Sequence, residues 1–137
     1  MLKALALSGV IAITAALPAS AANVQKEPPP APYKQVCTLV KLPCFLPGIG
    51  TLYVDPKTIP DGPCLAYDHN GRIVSTIYMI PITDFDSHKS IADLPALGGR
   101  VDHVSINFNA GHPGVEEPHY HIVLWHVPKA EESLVAK

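Results

Sequence analysis

Residues 64–81 read CLAYDHNGRIVSTIYMIP, and this stretch decides the fold. At its centre Asp68-His69-Asn70-Gly71 sets Asn-Gly between two apolar runs, the strongest short-range signal for a β-hairpin. The outgoing strand is Cys64–Tyr67. The return strand, Arg72–Ile80, is apolar on both parities: Ile73, Val74, Ile77, Tyr78, Met79 and Ile80. Successive strand residues point to opposite faces, so a run without polar alternation suits a central strand covered on both sides. Pro81 stops it, because proline has no N–H for the ladder.

Outward from this hairpin the chain keeps to short elements. Val36–Leu42 reads as a first strand ended by Pro43. Gly50–Val54 reads as a second, closed by Asp55-Pro56, and Asp61-Gly62-Pro63 as a turn. Beyond Pro81, Phe85, Ile91, Leu94 and Leu97 recur at near-helical spacing, with Asp86 or Ser87 available as N-cap. This predicts one short helix around Ser87–Leu94, ended by Pro95. Val101–Phe108 alternates, with Val104, Ile106 and Phe108 on one face and His103, Ser105 and Asn107 on the other. His119–Val127 forms the last strand, with His119, His121, Val123 and Trp125 on one parity. The expected fold is mainly β, an antiparallel sheet or sandwich with one short helix. The chain shows no internal repeat.

The flanks differ in composition. Met1–Ala21 carries one positive charge at Lys3, an apolar run from Ala4 to Leu17 and a small-residue end, Ala19-Ser20-Ala21. That is the pattern of a secretory signal peptide cut before Ala22, and its apolar run is shorter than the roughly 20 residues a bilayer span needs. Removing 21 of 137 residues leaves 116, expected to be secreted or periplasmic and not an integral membrane protein. Residues 22–35 hold Pro28-Pro29-Pro30-Ala31-Pro32 and read as an extended polyproline arm outside the fold. A single β-rich domain over 36–128 and a charged tail over 129–137, free to fray apart from a helical turn at Glu131–Val135, complete the organisation.

Composition narrows the function. Fourteen of the fifteen prolines lie after residue 21, about 12% of that portion against an average near 5%, which excludes a helical bundle. The formal charge is −2, and −3 without Lys3. This weak acidity excludes a nucleic-acid partner and a polybasic membrane anchor. Three cysteines, Cys37, Cys44 and Cys64, lack Cys-x-x-Cys spacing. One structural disulfide and one buried thiol fit best, with Cys37–Cys44 and Cys44–Cys64 both open.

All seven histidines lie after residue 68. Pro118-His119-Tyr120-His121 opens a strand, and residues i and i+2 share a face roughly 6.5–7 Å apart along it. Two imidazoles so placed can tilt onto one ion at about 2.0–2.1 Å per bond. In an antiparallel hairpin pairing Ser105 with His121 and Asn107 with His119, His103 lies diagonally beside His121. The linking loop adds His112 and Glu116-Glu117. The candidate metal ligands are therefore His103, His119 and His121, assisted by His112 or Glu117, holding a borderline ion with zinc or copper foremost. Three protein donors leave one position open for water or substrate, and Glu116 or Glu117 could serve such a water as base. His126 reads as a satisfied core or edge histidine; His69 and His88 read as surface residues. No nucleophile elbow or phosphate loop occurs.

From Leu52 to Trp125 the chain resembles a family of small exported bacterial proteins known only as a domain of unknown function. The resemblance rests on Gly50-Thr51-Leu52-Tyr53, Tyr67-Asp68 with Gly71, Tyr78-Met79-Ile80-Pro81, Val101-Asp102-His103-Val104, Gly111-His112-Pro113-Gly114 and Pro118-His119-Tyr120-His121. It implies a β-rich domain and supplies no reaction. The Pro-His-x-His run is also similar to the first metal motif of cupins, which carries a glutamate shortly afterwards where this chain has Val123, Leu124, Trp125 and His126. Three functions follow: an exported metal-binding β-domain, a metal-dependent hydrolase or oxygenase using the same site, or an envelope protein-interaction module with incidental histidines. The partner would be a metal ion or small molecule, with a protein partner or a homo-oligomer also open.

Overall fold

A computed structural model describes residues 24–137; the signal peptide expected over residues 1–21 lies outside the described residues. The described residues form one seven-stranded antiparallel sheet with few helical residues, the mainly β architecture expected. The strands are β1 (Lys34–Gln35), β2 (Phe45–Leu46), β3 (Gly50–Val54), β4 (Cys64–Tyr67), β5 (Ile73–Pro81), β6 (His103–Asn109) and β7 (His119–Trp125). Their order is β1-β3-β4-β5-β7-β6, with β2 also paired to β3.

The 64–81 hairpin forms as its sequence dictates. Asp68 is buried, and its Oδ1 accepts from the Asn70 and Arg72 amides at 2.8 and 3.0 Å. Gly71 takes the positive φ the turn requires (69°). All nine residues of β5 are buried, as an apolar run on both parities demands. A register shift at Ala66/Tyr67 turns Ile73 to the face opposite Ile77 and Met79. One core cluster gathers Val54, Cys64, Ala66, Ile77, Met79, Val123 and Trp125. A second, smaller one gathers Val24, Tyr53, Leu65, Tyr67 and Ile73.

Four expectations need correction. First, Val36–Leu42 is not a strand. Val36–Thr38 is a 3-10 turn in which the Leu39 and Val40 amides donate to the Val36 carbonyl, and a Cys37–Cys44 disulfide closes the loop. A bridge across seven residues forces the chain to fold back, which a continuous strand cannot do. Cys64 is the buried thiol. Second, the helix is α1 (Ile82–Asp86), immediately after β5, and not Ser87–Leu94. Ser87 ends it instead of capping its start, its Oγ donating to the Asp84 carbonyl at 3.0 Å. The irregular chain that follows is held by side chains of the sheet. Tyr78 donates to the Pro95 carbonyl, while His126 Nε2 accepts from the Gly98 amide and its Nδ1 donates to the Arg100 carbonyl.

Third, the described part of the arm, 24–35, is not outside the fold. Val24 is buried against Tyr53, Leu65 and Tyr67, the Tyr67 hydroxyl donates to its carbonyl at 2.8 Å, and Tyr53 donates to Glu27 at 2.9 Å. Burial leaves those carbonyl and hydroxyl groups no water, so they bind each other. Fourth, the tail does not fray. Residues Lys129–Val135 wind into a 3-10 helix, the helical turn expected, and Val135 enters the core at 1% exposure.

The last hairpin also turns in a way that alternation left open. On β6 the apolar parity faces solvent, with Val104, Ile106 and Phe108 at 51%, 64% and 58% exposure. The polar parity therefore faces inward, alongside His119, His121, Val123 and Trp125 of β7. No helix among the described residues is long and apolar enough to cross a membrane.

The tail's docking is testable. Val135→Ala removes two buried methylene-sized groups at about 0.8 kcal/mol each plus a cavity term, so urea denaturation should show a loss of roughly 1–3 kcal/mol. A tail that merely frays would give no change.

Candidate metal centre

His119 and His121 come from the start of β7, and His112 from the loop before it. Each is placed by backbone. β7 is paired on both sides over its whole length, with His119 opposite Pro81 and Asn109, and His121 opposite Met79 and Asn107. Their faces are therefore fixed by parity. His112 sits in a tight turn in which His112 and Val115 exchange both backbone hydrogen bonds at 2.9 Å, anchored by buried Val115. Two glycines make that turn possible. A Cβ on Gly111 would lie 2.3 Å from the Glu116 carbonyl oxygen, and one on Gly114 would lie 2.9 Å from Val40. Both have positive φ, 121° and 92°, which side-chain-bearing residues rarely adopt.

The three rings converge on their Nε2 atoms. His119 Nε2 lies 2.9 Å from His121 Nε2, and His121 Nε2 lies 3.4 Å from His112 Nε2. One ligand atom from each residue lies within 4.8 Å of the others. An ion about 2.05 Å from two nitrogens separates them by about 2.9 Å at a right angle and about 3.35 Å at the tetrahedral angle. The two short separations fall at these values, so the cluster is geometrically able to hold a metal.

Tautomers support the same direction. A carbonyl only accepts, so His119 Nδ1, 2.7 Å from the Glu117 carbonyl, carries its proton. The same holds for His112 Nδ1, 3.1 Å from the Pro113 carbonyl. With Nδ1 engaged as the donor, both rings turn Nε2 toward the cluster. This is the outer-sphere arrangement that orients metal-ligating histidines. Burial, and then the neighbouring His119 and His112, depress His121 to about 4, so its ring is neutral at neutral pH.

The residues expected at the site divide. His119, His121 and His112 come together. His103 does not. The observed register pairs it with Trp125, two rungs of the same face from His121 and so about 13 Å along the strand. It lies flat on Trp125 (centroids 5.9 Å, 14°), with Nε2 on Glu132 at 2.7 Å and Nδ1 on Asp102 at 2.9 Å. The Glu132 hydrogen bond, then that of Asp102, raises its pKa, so it serves an ion pair to the tail. Glu117 contributes its backbone carbonyl; its side chain and that of Glu116 are exposed, and the converging group contains no carboxylate. His126 is fully bonded, as expected of it. His69 stacks on Phe45 at 3.7 Å and contacts the Lys137 carbonyl, so it is less free than a surface turn residue.

A cavity of about 220 Å³ opens beside the cluster, with His112, His121 and Asn109 in its lining and otherwise almost wholly apolar walls. A second, of about 240 Å³, lies along Asn107, Asn109, His121 and Trp125, and reaches Ser75, whose buried hydroxyl has no partner among the described residues. Neither cavity is legible from strand alternation.

The depressed His121 makes the metal-free protein acid-sensitive. As pH falls through 6.5 the unfolded chain protonates His121, while the folded chain does so only near 4. Between these values the unfolded state binds more protons, so stability falls with pH. Urea midpoints of metal-free protein should therefore drop from pH 7 to pH 4 more steeply than those of a His121→Asn variant. Parallel profiles would contradict the assignment.

No family model matches the chain, and no curated protein matches it. Among solved structures, the crystal structure of hypothetical protein TTHB210 from Thermus thermophilus is similar at 42% identity and a TM-score of 0.59. The match covers 69% of this chain and 93% of that one. The chain therefore belongs to the family of that Thermus thermophilus protein.

Proposed function

We propose that the protein is an exported metal-binding β-domain that holds a transition metal, zinc or copper, on His112, His119 and His121. The observation that carries this reading is the convergence of three Nε2 atoms, two of them on rings whose Nδ1 bonds a backbone carbonyl. Neutral imidazoles packed this closely gain little from one another, whereas a cation binds all three lone pairs at once. The donor set is all nitrogen, which suits zinc, copper, nickel or iron and disfavours calcium and magnesium. Export is supported by the leader-like pattern of Met1–Ala21 and by the Cys37–Cys44 disulfide, which belongs to oxidising compartments.

A second reading, a metal-dependent hydrolase or oxygenase, is favoured by one observation: the apolar cavity that His112 and His121 line. Catalytic metal sites keep an open position beside a concave, largely apolar pocket. The absence of Glu116 and Glu117 carboxylates from the cluster leaves this reading without the general base it was expected to use.

Zinc titration of protein made without a histidine tag, followed by calorimetry and elemental analysis, tests the metal reading. One zinc per chain is expected. His119→Ala and His121→Ala should each weaken binding at least roughly 100-fold and His112→Ala at least tenfold, by loss of a direct ligand. His103→Ala should leave it unchanged. No uptake, or uptake indifferent to His119 and His121, would overturn the proposal.

A further inference from the structure

The cavity beside the histidines is larger and more apolar than a metal site needs. Val40, Leu52, Val54, Ile77, Met79 and Val115 are among its walls, and Asn109, His112 and His121 bring polar atoms to it at the cluster. Leu39 and Ile59, also in the lining, are each 38% exposed, so the space meets solvent along an apolar rim. Close-packed interiors hold few voids larger than a water molecule. An apolar cavity of about 150 Å³ takes benzene, so 220 Å³ is room for about nine non-hydrogen atoms in proportion.

Charge gives the other half of the ligand. Three neutral imidazoles leave both positive charges of a divalent ion uncompensated, and the converging group includes no carboxylate. Among the described residues neither arginine nor lysine lines the cavity, so the ion is what would neutralise an anionic head entering it. Two of the three ligands also form cavity wall, so an ion held by them would lie at the cavity's edge.

We infer that the site takes a small amphiphile, a monocarboxylate whose head binds the ion held by His112, His119 and His121 and whose apolar body of about seven to nine carbons fills the adjoining cavity. The inference rests on the metal reading. The disulfide-closed loop, Cys37–Cys44, contributes Leu39, Val40 and Leu42 to the cavity wall. That loop lies outside the sheet, so its residues can be enlarged without disturbing strand pairing.

The test is calorimetry with zinc alone, then octanoate and acetate on zinc-loaded and zinc-free protein, repeated on Leu39→Trp and Ile59→Trp, the two rim residues. The expected result has three parts. Octanoate binds zinc-loaded protein at least tenfold more tightly than acetate. It binds at least tenfold more weakly without zinc. At least one tryptophan variant loses octanoate binding while keeping zinc uptake. If zinc binds but octanoate is not preferred over acetate, or is indifferent to zinc, this inference falls and the metal reading stands. If zinc itself does not bind, the metal reading fails and this inference fails with it.

Discussion

Strand β7 is hydrogen-bonded to β5 on one side and β6 on the other along its entire length. This double pairing is the constraint on which the rest depends. A strand so held cannot rotate or slip by one residue without breaking both ladders and exposing its buried parity. His119, His121, Val123 and Trp125 are therefore committed to the interior, where the last two build the core and the first two meet His112. The histidines are in effect core positions with polar atoms. Fully buried His119 satisfies Nδ1 on a backbone carbonyl and turns Nε2 toward its neighbours.

The hairpin loop completes this arrangement by geometry more than by chemistry. Gly111 lets the chain pass against the Glu116 carbonyl, and Gly114 lets the turn pack on Val40. The same turn thus points His112 at β7 and closes against the disulfide loop that walls the cavity. Metal donors and apolar space share one boundary because the 36–46 loop and the 109–118 loop meet there. His103 plays a different structural part. With Glu132, which also receives Lys129, it fastens the C-terminal segment to the sheet.

Much of the fold was legible. The Asn-Gly turn and the apolar run of Arg72–Ile80 placed the central hairpin, and alternation placed the last two strands. What escaped was decided by terms that alternation does not carry. The register of β6 on β7 differs by two residues from the expected one: Asn107, not Ser105, lies opposite His121. A shift of two keeps every side chain on its face, so the hydrophobic pattern cannot detect it. That shift removed His103 from the site. Which parity of β6 faces inward was likewise undetermined, because Val104, Ile106 and Phe108 are the more apolar set and yet lie outside. The arm packs on the sheet because of Val24, one apolar residue seated with Tyr53 and Tyr67, about which proline density says nothing. The convergence of His112 had a local signal, Gly-His-Pro-Gly, whose flanking glycines mark a tight turn.

The central claim is that three imidazoles share one ion. X-ray absorption at the zinc edge of the zinc-loaded protein addresses it most directly. The account predicts three imidazole nitrogens at about 2.0–2.1 Å and one further light-atom donor. A sulfur shell near 2.3 Å, or a single imidazole among oxygen donors, would contradict it.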